Sequence, residues 1–150
     1  MFVERMAVEI EGEGEPVVMI HGLGGTSNAF TPLLSAFTRH RTIRFDLPGS
    51  GRSPRVEGPL SLQLFVERTL LVMQRAAVER AHVVAHSMGT IVAAHLAATE
   101  PGKVASIALF GPLLAPSEPA RTAIRARGRR GTQGRYAADR GRAASIKCLG

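Results

Sequence analysis

Short apolar runs separated by polar, glycine-rich stretches organise the front of this chain. Phe2 to Ile10 alternates loosely and predicts a strand, followed by the polar turn Glu11-Gly12-Glu13-Gly14-Glu15-Pro16. Val17-Val18-Met19-Ile20 is continuously apolar, the pattern of a strand buried on both faces. It stops at His21-Gly22-Leu23-Gly24-Gly25. Asn28 to Thr38 carries Phe30, Leu33, Leu34 and Phe37 at helical spacing, and Arg41 to Phe45 predicts a further strand. A loop of turn formers follows, Asp46-Leu47-Pro48-Gly49-Ser50-Gly51-Arg52-Ser53.

Beyond Gly58-Pro59, the residues Leu62, Phe65, Val66, Leu70, Met73 and Ala77 recur at the steps of an amphipathic helix. His82 to Ala85 reads as a buried strand. Met88 to Thr99 reads as a nearly uncharged helix ended by Pro101-Gly102, and Val104 to Phe110 as another buried strand. Strands alternating with helices predict an α/β fold, a mostly parallel sheet with helices on both faces. No internal repeat is visible. From Pro116 the character changes: Ser117 to Arg127 has the pattern of a helix start. The Arg/Gly-rich remainder has no apolar period and too little burial to offset its ordering entropy, so order is expected to fade beyond about Gly128. The division expected is 1–118 as the folded core and 119–150 as a basic tail.

Composition sharpens this division. The chain has 150 residues, enough for one domain with a real core, and 45% of them are apolar. Residues 1–118 hold ten basic and eleven acidic side chains, and residues 119–150 hold nine basic and one acidic. The high net charge therefore belongs to the tail. The single cysteine, Cys148, excludes an internal disulfide framework and fits a reducing, cytoplasmic setting. The first residues lack a basic head and apolar run, so no signal peptide is read there. The most apolar stretch, 81–98, contains His82, His86, Ser87 and His95, which speaks against a membrane span.

The chemistry centres on Ala85-His86-Ser87-Met88-Gly89, placed between a predicted strand and a predicted helix. A tight strand-to-helix turn strains the central residue and pushes its side chain outward. The flanking positions must be small where strand and helix converge, and Ala85 and Gly89 are. Ala85 stands where such elbows usually carry Gly. The first N–H groups of the following helix have no intrahelical partner. The N–H of Met88 is thus a candidate donor to an oxyanion formed when Ser87 attacks a carbonyl. Leu23 is the candidate second donor, with Gly24 and Gly25 letting its loop fold close.

The plainer alternative makes Ser87 only a helix N-cap. His86 leaves the elbow in another direction and reads as a supporting residue. His21 reads as bonding loop backbone, His40 and His95 as solvated or core-edge residues. Asp46 reads as a carboxylate tying down its own loop amides rather than a catalytic acid.

Taken together, His21-Gly22-Leu23-Gly24-Gly25, Asp46 to Ser53 and His86-Ser87-Met88-Gly89 resemble the α/β-hydrolase superfamily in order and spacing, over about residues 2–118. The resemblance is to the branch holding 3-oxoadipate enol-lactonases, carboxylesterases and cofactor-free haloperoxidases. A Ser at the elbow, rather than an Asp, speaks against the epoxide-hydrolase and haloalkane-dehalogenase branches. The resemblance implies cleavage of an ester or lactone in a small-molecule substrate. Ser87 would be the nucleophile, with the N–H groups of Leu23 and Met88 as oxyanion hole. His21, Gly22, Gly24, Asp46, Ala85, His86 and Gly89 would support the elbow and its loops. It also implies no metal and no organic cofactor. In the family the acid and the His follow the nucleophile in the chain. Here no histidine follows His95, and the only carboxylates after Phe110 are Glu118 and Asp139. The segment after Pro112 reads as the start of a helical cap that gives way to Arg/Gly-rich sequence. The expectation is a truncated or frame-shifted, poorly active chain.

Two other classes compete. Val17 to Ile20 followed by Gly22-Leu23-Gly24, with Asp46 near the place of a ribose-binding acid, has features of a dinucleotide-binding unit. Ser27 where the third glycine belongs, and the unexplained elbow, weigh against it. The basic tail has features of a nucleic-acid or anionic-surface binder. Only Tyr136 interleaves its arginines, which favours a merely solvated tail. Oligomeric state is not legible in the sequence.

Overall fold

The computed structural model describes residues 1–112 together with Glu118, Pro119, Arg121 and Thr122. Its elements are β1 (Phe2–Val3), β2 (Met6–Glu11), β3 (Glu15–Ile20), a 3₁₀ helix (Ser27–Phe37), β4 (His40–Phe45), α1 (Leu62–Arg75), β5 (Ala81–His86), α2 (Met88–Thr99), a short 3₁₀ turn (Pro101–Lys103) and β6 (Val104–Phe110). They form one six-stranded sheet in the order β1-β2-β4-β3-β5-β6. β4, β3, β5 and β6 are parallel, and β1 and β2 add an antiparallel edge. The mostly parallel α/β architecture expected from the alternation is present.

The two faces of the sheet are covered differently. Val18, Ile20, Ile43, Phe45, Val83 and Ala85 pack with Phe65, Val66, Val72 and Met73 of α1 and Val92, Ala93 and Leu96 of α2. Val17, Met19 and Val84 point the other way and pack with Phe30 of the 3₁₀ helix. Strand residues alternate between faces with period two. The unbroken apolar runs of β3 and β5 therefore meet the demand of both layers at once.

Three local expectations are corrected. The single strand over Phe2 to Ile10 is a hairpin, turned at Glu4 and Arg5, both at positive φ (42° and 70°). The helix over Asn28 to Thr38 is 3₁₀ rather than α, with Pro32 inside it. Proline has no N–H to donate and its ring crowds the preceding turn, which disfavours a regular α ladder. The strand Val104 to Phe110 does form, yet it is not buried: from Ala105 to Phe110 it is exposed. β5 pairs with one edge of β6, and no described residue pairs with the other.

The chain divides into two compact units, Met1–Leu113 and Leu114–Gly150. In the second, the described residues Glu118, Pro119, Arg121 and Thr122 are helical. Arg121 pairs there with Glu118 at 3.2 Å. The expectation for the stretch beyond Gly128 lies outside the described residues. No described helix is long and apolar enough to cross a membrane.

Candidate active site

β5 ends at His86 and α2 begins at Met88, so a single residue makes the turn. Ser87 makes it with φ 52° and ψ −120°, a backbone conformation that L-residues rarely hold. The ends of the turn are fixed. The Ser87 N–H donates to the Phe110 carbonyl at 2.9 Å, and the Ser87 carbonyl accepts from the N–H (2.9 Å) and hydroxyl (2.6 Å) of Thr90. Ser87 occupies the N-cap position of α2, but its side chain makes no capping hydrogen bond. The N-cap alternative accounts for its position and not for its hydroxyl.

Small residues are required on both sides. Ala85 is fully buried. A Cβ on Gly89 would overlap the carbonyl oxygens of Ile20 and His21 at the end of β3. A Cβ on Gly22 would stand 2.8 Å from the Ser87 Cβ and 3.1 Å from the His86 carbonyl oxygen. The loop after β3 therefore lies directly against the elbow. Beyond Gly22, the N–H of Gly25 returns to the Gly22 carbonyl at 3.0 Å, and Gly24 sits at φ 73°. Leu23, at the crest of this tight turn, is 61% exposed. Met88 is half-buried, and as the first residue of α2 its N–H has no intrahelical acceptor.

His21 holds this loop in place. Its ring is wholly buried, with Nε2 accepting the Leu47 N–H at 2.9 Å and Nδ1 bonded to the Gly22 carbonyl at 2.8 Å. A carbonyl only accepts, so Nδ1 carries the proton and Nε2 the lone pair. Burial pushes the pKa of His21 down from 6.5, partly opposed by the Gly22 bond and the charge of Asp46. Asp46 is 1% exposed. Its Oδ1 accepts the Ser27 N–H at 2.7 Å, and its Oδ2 accepts the Arg52 N–H at 2.9 Å and Nε–H at 3.3 Å. Burial alone would raise its pKa, but these hydrogen bonds outweigh it and hold the carboxyl below 3.8. With both oxygens engaged, Asp46 faces its own loops rather than a ribose, which removes the main support of the dinucleotide reading.

Sequence reasoning missed the residues that complete this support. Ser53 donates to the Asp46 carbonyl at 2.6 Å and accepts the Ala7 N–H at 2.9 Å. Arg52 reaches from Asp46 to Glu9 at 2.6 Å, and Glu9 also pairs with Arg44 at 3.0 Å. Arg52 and Ser53 stood inside a quoted motif; Glu9 carried no local signal.

Residues 15–143 match the family model described as alpha/beta hydrolase fold. The chain belongs to the α/β-hydrolase family. This α/β-hydrolase chain is 30% identical over 115 residues to (E)-2-((N-methylformamido)methylene)succinate hydrolase of Acinetobacter baylyi, covering 76% of this chain and 44% of that one. It is 39% identical over 106 residues to pimeloyl-[acyl-carrier protein] methyl ester esterase of Methylococcus capsulatus, covering 69% and 39%. Among solved structures, a hydrolase from Pseudomonas aeruginosa aligns with TM-score 0.67 and 28% identity, over 69% of this chain and 40% of that one. The chain thus spans less than half the length of these relatives.

Among the described residues of the hydrolase chain no hydrogen bond joins a histidine to Ser87. Both ring nitrogens of His21 are engaged. His82 lies near the start of β5, and His40 stacks edge-on against Phe37 with ring centroids 5.7 Å apart. His95 sits half-buried within α2. His86 is exposed beside Gly22, and no hydrogen bond joins its ring to Ser87 among the described residues. Nor do three His, Cys, Asp or Glu side chains converge as metal ligands among those residues. A cavity lined by Leu70, Met73, Val78, Glu100 and Lys103 holds none of the sequence-predicted site residues.

Proposed function

We propose that Ser87 is the nucleophile for acyl transfer from an ester or lactone to water, with the N–H groups of Met88 and Leu23 holding the oxyanion. The observation that carries this is the strained backbone of Ser87 joined to a hydroxyl that makes no capping bond. A conformation costing on the order of 1–3 kcal/mol persists only where the surroundings enforce it. Here the convergence of β3, the Gly22 loop and α2 enforces it, and it sets Ser87 at the positive end of a helix. The relatives named as a methyl ester esterase and a succinate-derivative hydrolase support a carboxylic ester or related acyl compound as substrate.

The chemistry balances simply. The Ser87 oxygen bonds to the carbonyl carbon as its proton passes to solvent. The bond to the alkoxide breaks and the alkoxide takes a proton from solvent. Water then adds to the acyl-enzyme, releasing the acid and restoring the Ser87 hydroxyl. A base that takes the Ser87 proton is worth on the order of 100- to 10,000-fold, and no described histidine is hydrogen-bonded to Ser87. Oxyanion donors alone are worth about 100-fold or more.

The test is exposure of the chain to a fluorophosphonate, with adducts located by peptide mass spectrometry. The adduct is expected at Ser87, about 100-fold faster than at surface Ser61. Turnover of p-nitrophenyl acetate is expected to stay close to that of Ser87→Ala. Labelling of Ser87 no faster than Ser61 overturns the nucleophile. Robust turnover lost in Ser87→Ala keeps the nucleophile and overturns the missing base.

A further inference from the structure

A second serine, at the opposite end of β5, meets a histidine and a carboxylate across three parallel strands. His82 of β5 bonds through Nδ1 to the Ser106 hydroxyl of β6 at 2.7 Å. Through Nε2 it bonds to Glu15 of β3 at 3.2 Å. The pairing registers Val17↔His82 and His82↔Ser106 put all three on one sheet face, since Glu15 lies two residues before Val17. β5 rises about 3.3 Å per residue, so this cluster stands about 17 Å from Ser87.

The contact depends on an irregularity. Ala81 pairs with Val104, yet the next residue, His82, pairs with Ser106. Ala105 is thus the extra residue of a bulge, and an unshifted register would set it opposite His82. Bulges re-aim side chains, and this one brings a hydroxyl to the imidazole.

The tautomer follows from chemistry. An ionised carboxylate only accepts, so Nε2 carries the proton toward Glu15, and the lone pair of Nδ1 faces the Ser106 hydroxyl. A base oriented by a third group is the arrangement that activates a hydroxyl. The cluster is open to solvent: the His82 and Glu15 side chains are 36% and 77% exposed, and Ser106 is exposed.

We propose that Ser106 is an acyl-acceptor site for activated acyl esters and thioesters, with His82 as its base and Glu15 positioning His82. The Ser106 oxygen forms a bond to the acyl carbon while its proton passes to Nδ1. The bond from the acyl carbon to the leaving group breaks, and that group departs as aryloxide or thiolate. The imidazolium then returns its proton to solvent, leaving an O-acyl serine. Such leaving groups need no proton to depart, which suits an open sheet face.

The experiment uses the Ser87→Ala chain, so its outcome is independent of the elbow. The chain is incubated with p-nitrophenyl acetate, and tryptic peptides are fragmented to locate acetyl groups. Acetylation at Ser106 is expected about 100-fold above that at Ser61. His82→Gln is expected to bring it down to the Ser61 level, and Glu15→Gln to lower it several-fold with the far-UV spectrum unchanged. Equal acetylation of Ser106 and Ser61, or labelling unaffected by His82→Gln, overturns the proposal. Should His82→Gln unfold, Glu15→Gln on the exposed first residue of β3 carries the test, and unchanged labelling in it overturns the assigned relay.

Discussion

Gly89 lies bare against the carbonyl of Ile20, so close that a Cβ would overlap the oxygen. This contact seats the first turn of α2 on the end of β3, and β3 in turn carries the Gly22 loop to the elbow. The obstructing group is backbone on a central strand and cannot swing aside like a side chain. Gly89→Ala is expected to destabilise the chain by about 2 kcal/mol or more. Urea unfolding checks this, and an unchanged midpoint would contradict the close approach.

Ser87 gives the opposite sign. Glycine holds φ 52°, ψ −120° without the clash of a Cβ, whereas alanine retains the strain. Ser87→Gly is therefore expected to be more stable than Ser87→Ala by about 1 kcal/mol, after allowing for the greater unfolded-state entropy of glycine. Thermal or urea unfolding of the two variants side by side decides it. Both variants lack the proposed nucleophile, so a gain in stability in Ser87→Gly would mark the elbow as strain that the native serine retains.

The loop clasp should show in the pH dependence of stability. Burial holds His21 neutral in the folded chain, with a pKa below the 6.5 of an exposed ring. As pH falls below 6.5, the unfolded chain takes up a proton that the folded chain refuses. Its contribution to stability is therefore present above 6.5 and is lost as pH falls toward the lowered folded value. His21→Gln can still accept from Leu47 and donate to Gly22, and is expected to flatten stability against pH in that window. Asp46 acts in a more acidic window. Its contribution is present above 3.8 and is lost as pH falls through its lowered folded value, and Asp46→Asn should abolish that loss. Urea midpoints collected across pH separate the two groups; parallel wild-type and His21→Gln curves would count against the buried neutral ring.

Much of this molecule was legible along the chain. Met88 to Thr99 matches α2 in full, and the strand–turn–helix placement of Ser87 followed from apolar runs broken by small residues. The 3₁₀ form of Ser27–Phe37 and the hairpin at Glu4-Arg5 were not legible, because helical spacing does not distinguish hydrogen-bond ladders and neither Glu nor Arg announces positive φ. The support of Asp46 was legible where it came from an amide of its own loop, the Arg52 N–H, and not in the Arg52 side chain. It was silent where it came from Glu9, on a strand 43 residues away from Arg52.

By itself, the order of residues determined which segments become strands and helices and that Ser87 turns between two of them. Those outcomes depend on each residue and its near neighbours: periodic burial, missing N–H groups, the size of a side chain at a bend. Tertiary structure alone decided that β6 lies exposed and that Glu15, His82 and Ser106 meet. Such meetings depend on strand register, and a shift of one residue would set Ala105 in place of Ser106.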